Sequence, residues 1–133
     1  MRKGIFYKNK TIAFIGTGKM ASALISCIYD KKIAKTIIAS DKNEDNLINL
    51  IKIKKLEIKN PKIKIPYNNT DYDKNYNDKS HYKINTINTT KDNKEAVKNS
   101  DVVFICVKPQ DIDVVLNEIK GLIKNQLIVS IAA

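Results

Sequence analysis

Short apolar runs alternate with amphipathic segments along most of this chain of 133 residues. The runs are rich in β-branched residues, which is typical of strands that are buried on both faces of a sheet. The segments between them repeat apolar residues every three or four positions, as helices with one buried face do. The predicted strands are 11–15, 36–40, 83–88, 102–107 and 127–131, and the predicted helices are 19–31, 43–55, 92–99 and 111–124.

Strands and helices in strict alternation predict an α/β fold. A parallel sheet whose two faces are both covered by helices accommodates this order, because each strand returns to the sheet through a crossover helix. We therefore expect a doubly wound parallel sheet of the Rossmann type with strand order 3-2-1-4-5. In such a sheet ligands bind at the carboxyl ends of strands one and four, where the strand order reverses.

The regular pattern fails between residues 57 and 82. This segment contains Pro61, Pro66 and many asparagines and lysines, without a sustained period. We interpret it as a low-complexity insertion, loose or disordered at the surface, within a domain that spans 11–133 after an extension over 1–10. His81 lies in this insertion, where a solvated role is favoured over a catalytic one.

A glycine motif follows the first predicted strand directly. The apolar run ends at Gly16, Gly18 comes next, and a helical pattern begins at once. Gly16 permits a tight turn, Gly18 lacks a Cβ and lets a pyrophosphate approach the backbone, and Ala21 allows the helix to pack on the strand. The N–H groups and the positive dipole end of the helix then face the anion. A dinucleotide-binding unit is predicted, and the alternative is a structural turn without a nucleotide.

Asp41 has two interpretations. It follows the second predicted strand about 20 residues after the glycine motif, where an acid binds a ribose 2′-hydroxyl and favours NAD. Alternatively, it caps the second helix together with Glu44, three residues later. A 2′-phosphate beside it would be repelled, and Lys42 and Ser40 would offset that repulsion through charge and a hydrogen bond.

The formal net charge is +10, which raises the question of nucleic-acid binding. Nearly all of this charge is lysine, and Arg2 is the single arginine. Proteins that read bases favour arginine for its bidentate geometry. We expect a solvated, lysine-rich surface that steers anionic cofactors and no nucleic-acid partner.

Other patterns bound the location and the chemistry. Cys27 falls in the first predicted helix and Cys106 in an apolar strand, so both are expected to be buried, reduced thiols of a cytoplasmic protein. No apolar stretch approaches the roughly 20 residues that a membrane span needs, so no membrane partner is predicted. The sequence offers no metal cluster and no catalytic dyad or triad.

Three segments together resemble one family. They are Phe14–Ala21 (FIGTGKMA), Asp101–Gln110 (DVVFICVKPQ) and Leu127–Ala133 (LIVSIAA). In this combination the chain resembles the amino-terminal half of pyrroline-5-carboxylate reductase, the last enzyme of proline biosynthesis. The resemblance covers almost everything outside the insertion. It implies NADPH as the cofactor, with NADH also accepted, and hydride transfer to the C=N carbon of 1-pyrroline-5-carboxylate to give L-proline.

The resemblance also implies the cofactor contacts. Residues 15–20 correspond to the pyrophosphate loop, 40–42 to the ribose or its 2′-phosphate, and 106–109 and 131–133 to the nicotinamide half. The cofactor-binding residues implied are Ile15, Gly16, Thr17, Gly18, Lys19, Met20, Ser40, Asp41, Lys42, Asn93, Cys106, Val107, Lys108, Pro109, Ile131, Ala132 and Ala133.

Family members continue with an all-helical domain that dimerises and supplies most of the substrate pocket. The resemblance therefore implies a truncated chain that is inactive alone, no catalytic residue within it, and a full-length homo-oligomer. Two other functions stay open. One is a Rossmann reductase or dehydrogenase of the β-hydroxyacid type, where Val-Lys-Pro after strand four is not expected, and the other is a non-enzymatic nucleotide-sensing domain.

Overall fold

A computed structural model describes residues 9–54 and 86–131 of the chain. They form a five-stranded parallel sheet with the order β3-β2-β1-β4-β5, so the predicted fold class and strand order are confirmed. The strands are β1 (Thr11–Ile15), β2 (Thr36–Ser40), β3 (Thr86–Thr90), β4 (Val102–Ile105) and β5 (Leu127–Ser130). The helices are α1 (Lys19–Asp30), α2 (Glu44–Lys54), α3 (Asn93–Lys98) and α4 (Ile112–Ile119), with 3₁₀ turns at Pro109–Asp111 and Lys120–Leu122.

The strand register aligns the carboxyl ends of the sheet. Ile15, the last residue of β1, pairs with Ser40 on one side and Ile105 on the other. Ser40 in turn pairs with Thr90, the last residue of β3. The loops that follow these four strands therefore emerge along one edge, which is the edge where the glycine motif begins.

Alternating side chains of the strands fill two cores, one on each face of the sheet. Phe14 points to the face covered by α1 and α2, where its ring stacks on Phe104 with centroids 4.9 Å apart. Ile15, the next residue, points to the face covered by α3 and α4. Burial on both faces explains why β1 and β4 carry apolar residues at nearly every position rather than at alternate ones. Besides Phe14, the first core holds Ile12, Ala21, Ile25, Ala34, Ile37, Ala39, Leu47, Leu50 and Ile87.

Three predicted boundaries were wrong. The third strand runs from Thr86 to Thr90 rather than over 83–88, because each of its residues pairs with one of β2; residues 83–85 lie outside the described part. β4 ends at Ile105, two residues earlier than predicted, where the chain turns past Gly16. The predicted helix 111–124 is α4 flanked by 3₁₀ turns, and the second turn contains Gly121, a residue that weakens helices.

The caps of the second and third helices differ from each other. Asn43, not Asp41, caps α2: its side-chain oxygen accepts a hydrogen bond from the backbone N–H of Asp45 at 3.0 Å. The capping box predicted for Asp41 was therefore wrong. At α3 the cap is Asp92, whose side chain accepts a hydrogen bond from the backbone N–H of Lys94 at 3.0 Å.

The two cysteines are less buried than expected. Cys27 is exposed and Cys106 is partly buried. Cys27 lies two residues after the buried Ile25, and with about 3.6 residues per turn that places it on nearly the opposite side of α1. Burial raises the pKa of the Cys106 thiol from 9.0 to about 11, because the thiolate would be poorly hydrated there.

Some sequence predictions concern residues that the structure does not describe. The extension over residues 1–8, the insertion over 57–82 and His81 lie outside the described residues. Within the part that is described, no helix combines the length and the apolar character that crossing a membrane requires.

Candidate functional site

The first glycine of the motif is required by the fold itself. Gly16 has φ +94°, a conformation that L side chains rarely adopt. A Cβ on it would lie 2.8 Å from the carbonyl oxygen of Cys106. Its N–H donates to the carbonyl of Ser40 at 2.8 Å. The turn after β1 is therefore fastened to the ends of β2 and β4.

The second glycine has no such constraint. A Cβ on Gly18 would meet no atom of the described residues within 4 Å. Gly18 is the N-cap of α1, where no side chain supplies a capping hydrogen bond and the first turn contains no acidic residue. The initial N–H groups of α1 and the positive end of its dipole are thus available to an anion that comes close to the backbone.

Asp41 organises the loop between these glycines. Its Oδ2 accepts hydrogen bonds from the backbone N–H and hydroxyl of Thr17, at 2.9 and 3.0 Å, and from the side-chain amide of Asn46 at 3.0 Å. Its Oδ1 accepts from the N–H of Asn43 at 2.8 Å. The carboxylate therefore joins the glycine turn to the start of α2, and both of its oxygens are engaged within the protein.

A pocket of about 240 Å³ opens beside this loop at the carboxyl edge of the sheet. Its lining includes three valines, and the exposed side chains of Lys42 and Asp111 form its charged rim. Apolar surfaces of this kind suit the faces of a planar ring, while the rim suits polar substituents. The lining residues are Ile15, Gly16, Asp41, Lys42, Asn93, Val107, Asp111, Val114 and Val115.

A second, larger space of about 550 Å³ extends from the glycine loop between α1 and α2. It is bordered by the loop itself and by polar residues of the two helices. The predicted loop residues are therefore divided between the two spaces. The lining residues are Thr17, Gly18, Lys19, Ser22, Ala23, Ser26, Asn46, Asn49 and Lys52.

A hydrogen-bonded chain of side chains supports the small pocket from behind. The hydroxyl of Ser40 donates to Oδ1 of Asn93 at 2.6 Å, and both residues are buried. The amide nitrogen of Asn93 faces Oε2 of Glu118 at 3.4 Å, and the same oxygen lies 3.2 Å from the ammonium of Lys42. Three elements, the end of β2, α3 and α4, are joined by this chain.

Sequence reasoning missed Glu118. It lies on the polar side of an amphipathic helix, where a glutamate looks like any solvated surface acid. The available signal was indirect. Lys42 and Asn93 were both expected at the cofactor, and an acidic partner for them would lie on a helix packed beside their loops.

The remaining predicted residues are spread along the same edge. Met20 is 62% exposed at the start of α1. Lys108 and Pro109 are exposed where the first 3₁₀ turn begins, and neither lines the small pocket. Ile131 follows β5 and donates its N–H to the carbonyl of Ile105 at 3.0 Å. Ala132 and Ala133 lie outside the described residues.

Among residues 9–54 and 86–131, no group of three or more histidine, cysteine, aspartate or glutamate side chains is arranged to hold a metal ion. The charged groups at the described edge are the lysines and carboxylates already named. Chemically, the uncapped start of α1 can accept an anion, and the valines of the small pocket can pack against an apolar ring.

A family model described as "NADP oxidoreductase coenzyme F420-dependent" matches residues 11–133. The chain therefore belongs to this family of oxidoreductases, in agreement with the resemblance deduced from its motifs. A comparison with curated protein sequences gives no match.

Solved structures share the fold. The pyrroline carboxylate reductase of Plasmodium falciparum, crystallised with NADP, has a TM-score of 0.58 and 22% identity, over 95% of this chain and 34% of that one. The pyrroline-5-carboxylate reductase of Coxiella burnetii has a TM-score of 0.65 and 22% identity, over 94% and 36%. An imine reductase of Myxococcus stipitatus with NAD+ has a TM-score of 0.60 and 18% identity, over 93% and 32%. The chain thus spans about a third of the length of these proteins.

Proposed function

We propose that this chain is the cofactor-binding part of an NAD(P)H-dependent reductase that converts 1-pyrroline-5-carboxylate to L-proline. The observation that carries the proposal is the open position above Gly18, next to an uncapped helix start. The fold explains Gly16 but provides no reason for a glycine at position 18. A ligand that must approach the backbone closely, as a pyrophosphate does, provides that reason.

The residues of the site fit a dinucleotide in this way. The turn at Gly18 and the first N–H groups of α1 would hold the pyrophosphate. The valines of the small pocket would hold the adenine ring, and Lys42 would bind the 2′ group of the ribose. Lys108 and Ile131 would hold the nicotinamide half. The bound nicotinamide supplies the hydride, and the protein orients the ring and excludes competing reactions.

NADPH is the proposed cofactor, with NADH also accepted. The two oxygens of Asp41 are engaged by Thr17, Asn43 and Asn46, so this acid is occupied in holding the loop. Lys42, one residue later, is 63% exposed and provides a cation at the rim. This arrangement supports a 2′-phosphate better than an acid turned towards the ribose would.

The proposed substrate has a carbon–nitrogen double bond. The motifs Val-Lys-Pro-Gln after β4 and Ser-Ile-Ala-Ala at the end of the chain support it, as do two neighbours that are pyrroline carboxylate reductases and one that is an imine reductase. The assembled enzyme is proposed to be a homo-oligomer in the cytoplasm. NADPH oxidation that depends on 1-pyrroline-5-carboxylate, measured on the protein as its organism expresses it, tests the substrate. NADPH oxidation with a β-keto acid, or NADP+ reduction with a β-hydroxyacid, would instead favour the other dehydrogenase class.

Calorimetric titration of the chain with NADPH and NADH tests the cofactor site. Gly18→Val is expected to weaken binding by at least about tenfold, or 1.4 kcal/mol. Gly121→Val is the matched control, because Gly121 is also surrounded by open space but lies in the turn after α4. The absence of heat with both cofactors would refute the site. Equal binding by both variants would mean that the pyrophosphate does not bind at the glycine loop.

A further inference from the structure

The ion pair between Lys42 and Glu118 lies where the cofactor's 2′ group is proposed to bind. Resting on the proposed function, we infer that Glu118 is a specificity-determining residue: its carboxylate competes with a 2′-phosphate for the ammonium of Lys42 and so limits the preference for NADPH over NADH.

The two members of the pair differ in freedom. The side chain of Lys42 is 63% exposed and that of Glu118 is 19% exposed. Lysine has a flexible four-carbon stem, so its ammonium can move between partners. Glu118 is on α4, whose neighbouring residues Val115 and Ile119 are buried in the core. The carboxylate is therefore the fixed charge and the ammonium the mobile one.

Asn93 fixes the carboxylate further. Its Oδ1 accepts the hydroxyl hydrogen of Ser40 at 2.6 Å, which leaves its amide nitrogen facing Glu118. Asn93 is 3% exposed and Ser40 is fully buried, so the orientation of the amide is determined by the interior of the protein. Glu118 consequently receives hydrogen bonds from two sides, one from the interior and one from the rim.

A 2′-phosphate changes the balance at the rim. It brings negative charge to an ammonium that already has a carboxylate 3.2 Å away. To pair with the phosphate, the ammonium of Lys42 has to leave the carboxylate of Glu118, and partial burial of that carboxylate makes the loss of its counter-ion costly. A 2′-hydroxyl carries no charge and does not draw the ammonium away. Glu118 therefore lowers the affinity for NADPH and leaves the affinity for NADH nearly unchanged.

The test compares the dissociation constants of NADPH and NADH by calorimetry. Glu118→Gln keeps the shape and an oxygen acceptor for Asn93 but removes the charge. We expect it to tighten NADPH binding by about three- to tenfold and to change NADH binding by less than about twofold. Asp113→Asn is the matched control, since it removes one charge from an exposed position of the same helix and should leave the ratio unchanged.

A double-mutant cycle identifies the route of the effect. In a Lys42→Gln background the gain in NADPH affinity from Glu118→Gln should shrink to less than about twofold, because the ammonium for which the two anions compete is absent. An equal gain in both backgrounds would overturn the inference in favour of simple repulsion. Weaker NADPH binding by Glu118→Gln would overturn it too, since it would make Glu118 a positioning residue for Lys42. Wild-type chain that binds neither cofactor refutes the proposed function as well, whereas an unchanged ratio with tight binding refutes this inference alone.

Discussion

The carboxylate of Asp41 holds Thr17 by two hydrogen bonds, one from the backbone N–H at 2.9 Å and one from the hydroxyl at 3.0 Å. Thr17 lies between the two glycines of the motif and is 2% exposed. The shape of the glycine turn therefore depends on a side chain 24 residues later in the chain.

Replacement of Asp41 by alanine should destabilise the fold. It removes an acceptor that serves Thr17, Asn43 and Asn46, and it leaves the buried N–H of Thr17 without its partner. Hydrogen bonds to charged groups contribute about 1.5–3 kcal/mol each, and part of the loss is recovered through water. We expect the free energy of unfolding to fall by about 2–3 kcal/mol in urea denaturation. Asp113→Ala, on an exposed helix surface, should change it by less than about 0.5 kcal/mol.

Gly16→Ala should be more harmful to folding than Gly18→Ala. The new Cβ would meet the carbonyl of Cys106 at 2.8 Å, and φ +94° is unfavourable for alanine. The free energy of unfolding of Gly16→Ala should fall by about 2 kcal/mol or more, since backbone strain and steric overlap add. Gly18→Ala places its Cβ in open space, so its free energy of unfolding in urea denaturation should lie within about 1 kcal/mol of the wild-type value. Similar losses for both variants would contradict the separation of a structural glycine from a ligand-binding one.

The buried pair of Ser40 and Asn93 should show strong energetic coupling. Ser40→Ala leaves Oδ1 of Asn93 without its donor, a cost of about 1–3 kcal/mol for a buried polar atom. A double-mutant cycle with Asn93→Ala should give a coupling energy of about 1–2 kcal/mol, measured by chemical denaturation. Ser26→Ala, in a half-buried position of α1, is the control and should change stability by less than about 0.5 kcal/mol. Additive losses would mean that the 2.6 Å contact contributes little.

The two thiols should differ in reactivity. The thiolate is the reactive form, and burial raises the pKa of Cys106 to about 11. At pH 8 iodoacetamide should therefore modify the exposed Cys27 first, as peptide mass spectrometry would show. The rate at Cys106 should rise as the pH approaches 11. Faster modification of Cys106 than of Cys27 at pH 8 would contradict the burial of its sulfur.

The same shift affects stability at alkaline pH. In the unfolded chain the Cys106 thiol loses its proton near its ordinary pKa of 9.0, while in the folded chain it keeps the proton to about 11. The unfolded state thus binds fewer protons between these values, and stability falls as the pH rises from 9 to 11. Cys106→Ser should flatten this part of the stability profile measured by denaturation at several pH values.

The sequence predicts β1 and β2 well because they are buried on both faces. β1 and β2 have the bounds that the apolar runs indicate, since a glycine ends one run and an aspartate follows the other. β3 is less visible, because three of its five residues are threonines, whose polarity conceals their preference for strands. Its ends are determined by pairing with β2, a partner that is distant in sequence. The local pattern therefore locates β3 approximately and β1 and β2 closely.

The site is predictable in composition and less so in geometry. The glycines were identified by spacing, and Lys42 and Asn93 by resemblance, because motifs record which residues occur at a position. The partner of a side chain depends on its rotamer and on elements that are remote in sequence. Asp41 was expected to meet a ribose or to cap a helix. It holds Thr17 and does not cap α2, and its contact with a ribose stays a prediction. Glu118 carried no local sign of its pairing with Lys42.

Gly16 donates its N–H to the carbonyl of Ser40 and leaves no space for a Cβ beside the carbonyl of Cys106, and this arrangement has a thermodynamic consequence. The loops that follow β1, β2 and β4 are held together when the sheet forms, so the backbone beside the small pocket is ordered before a ligand binds. Binding then restricts few additional backbone torsions, and its entropy penalty comes mainly from the ligand itself. Hydrogen exchange at the amide of Gly16 should accordingly be slow in the free protein and change little on saturation.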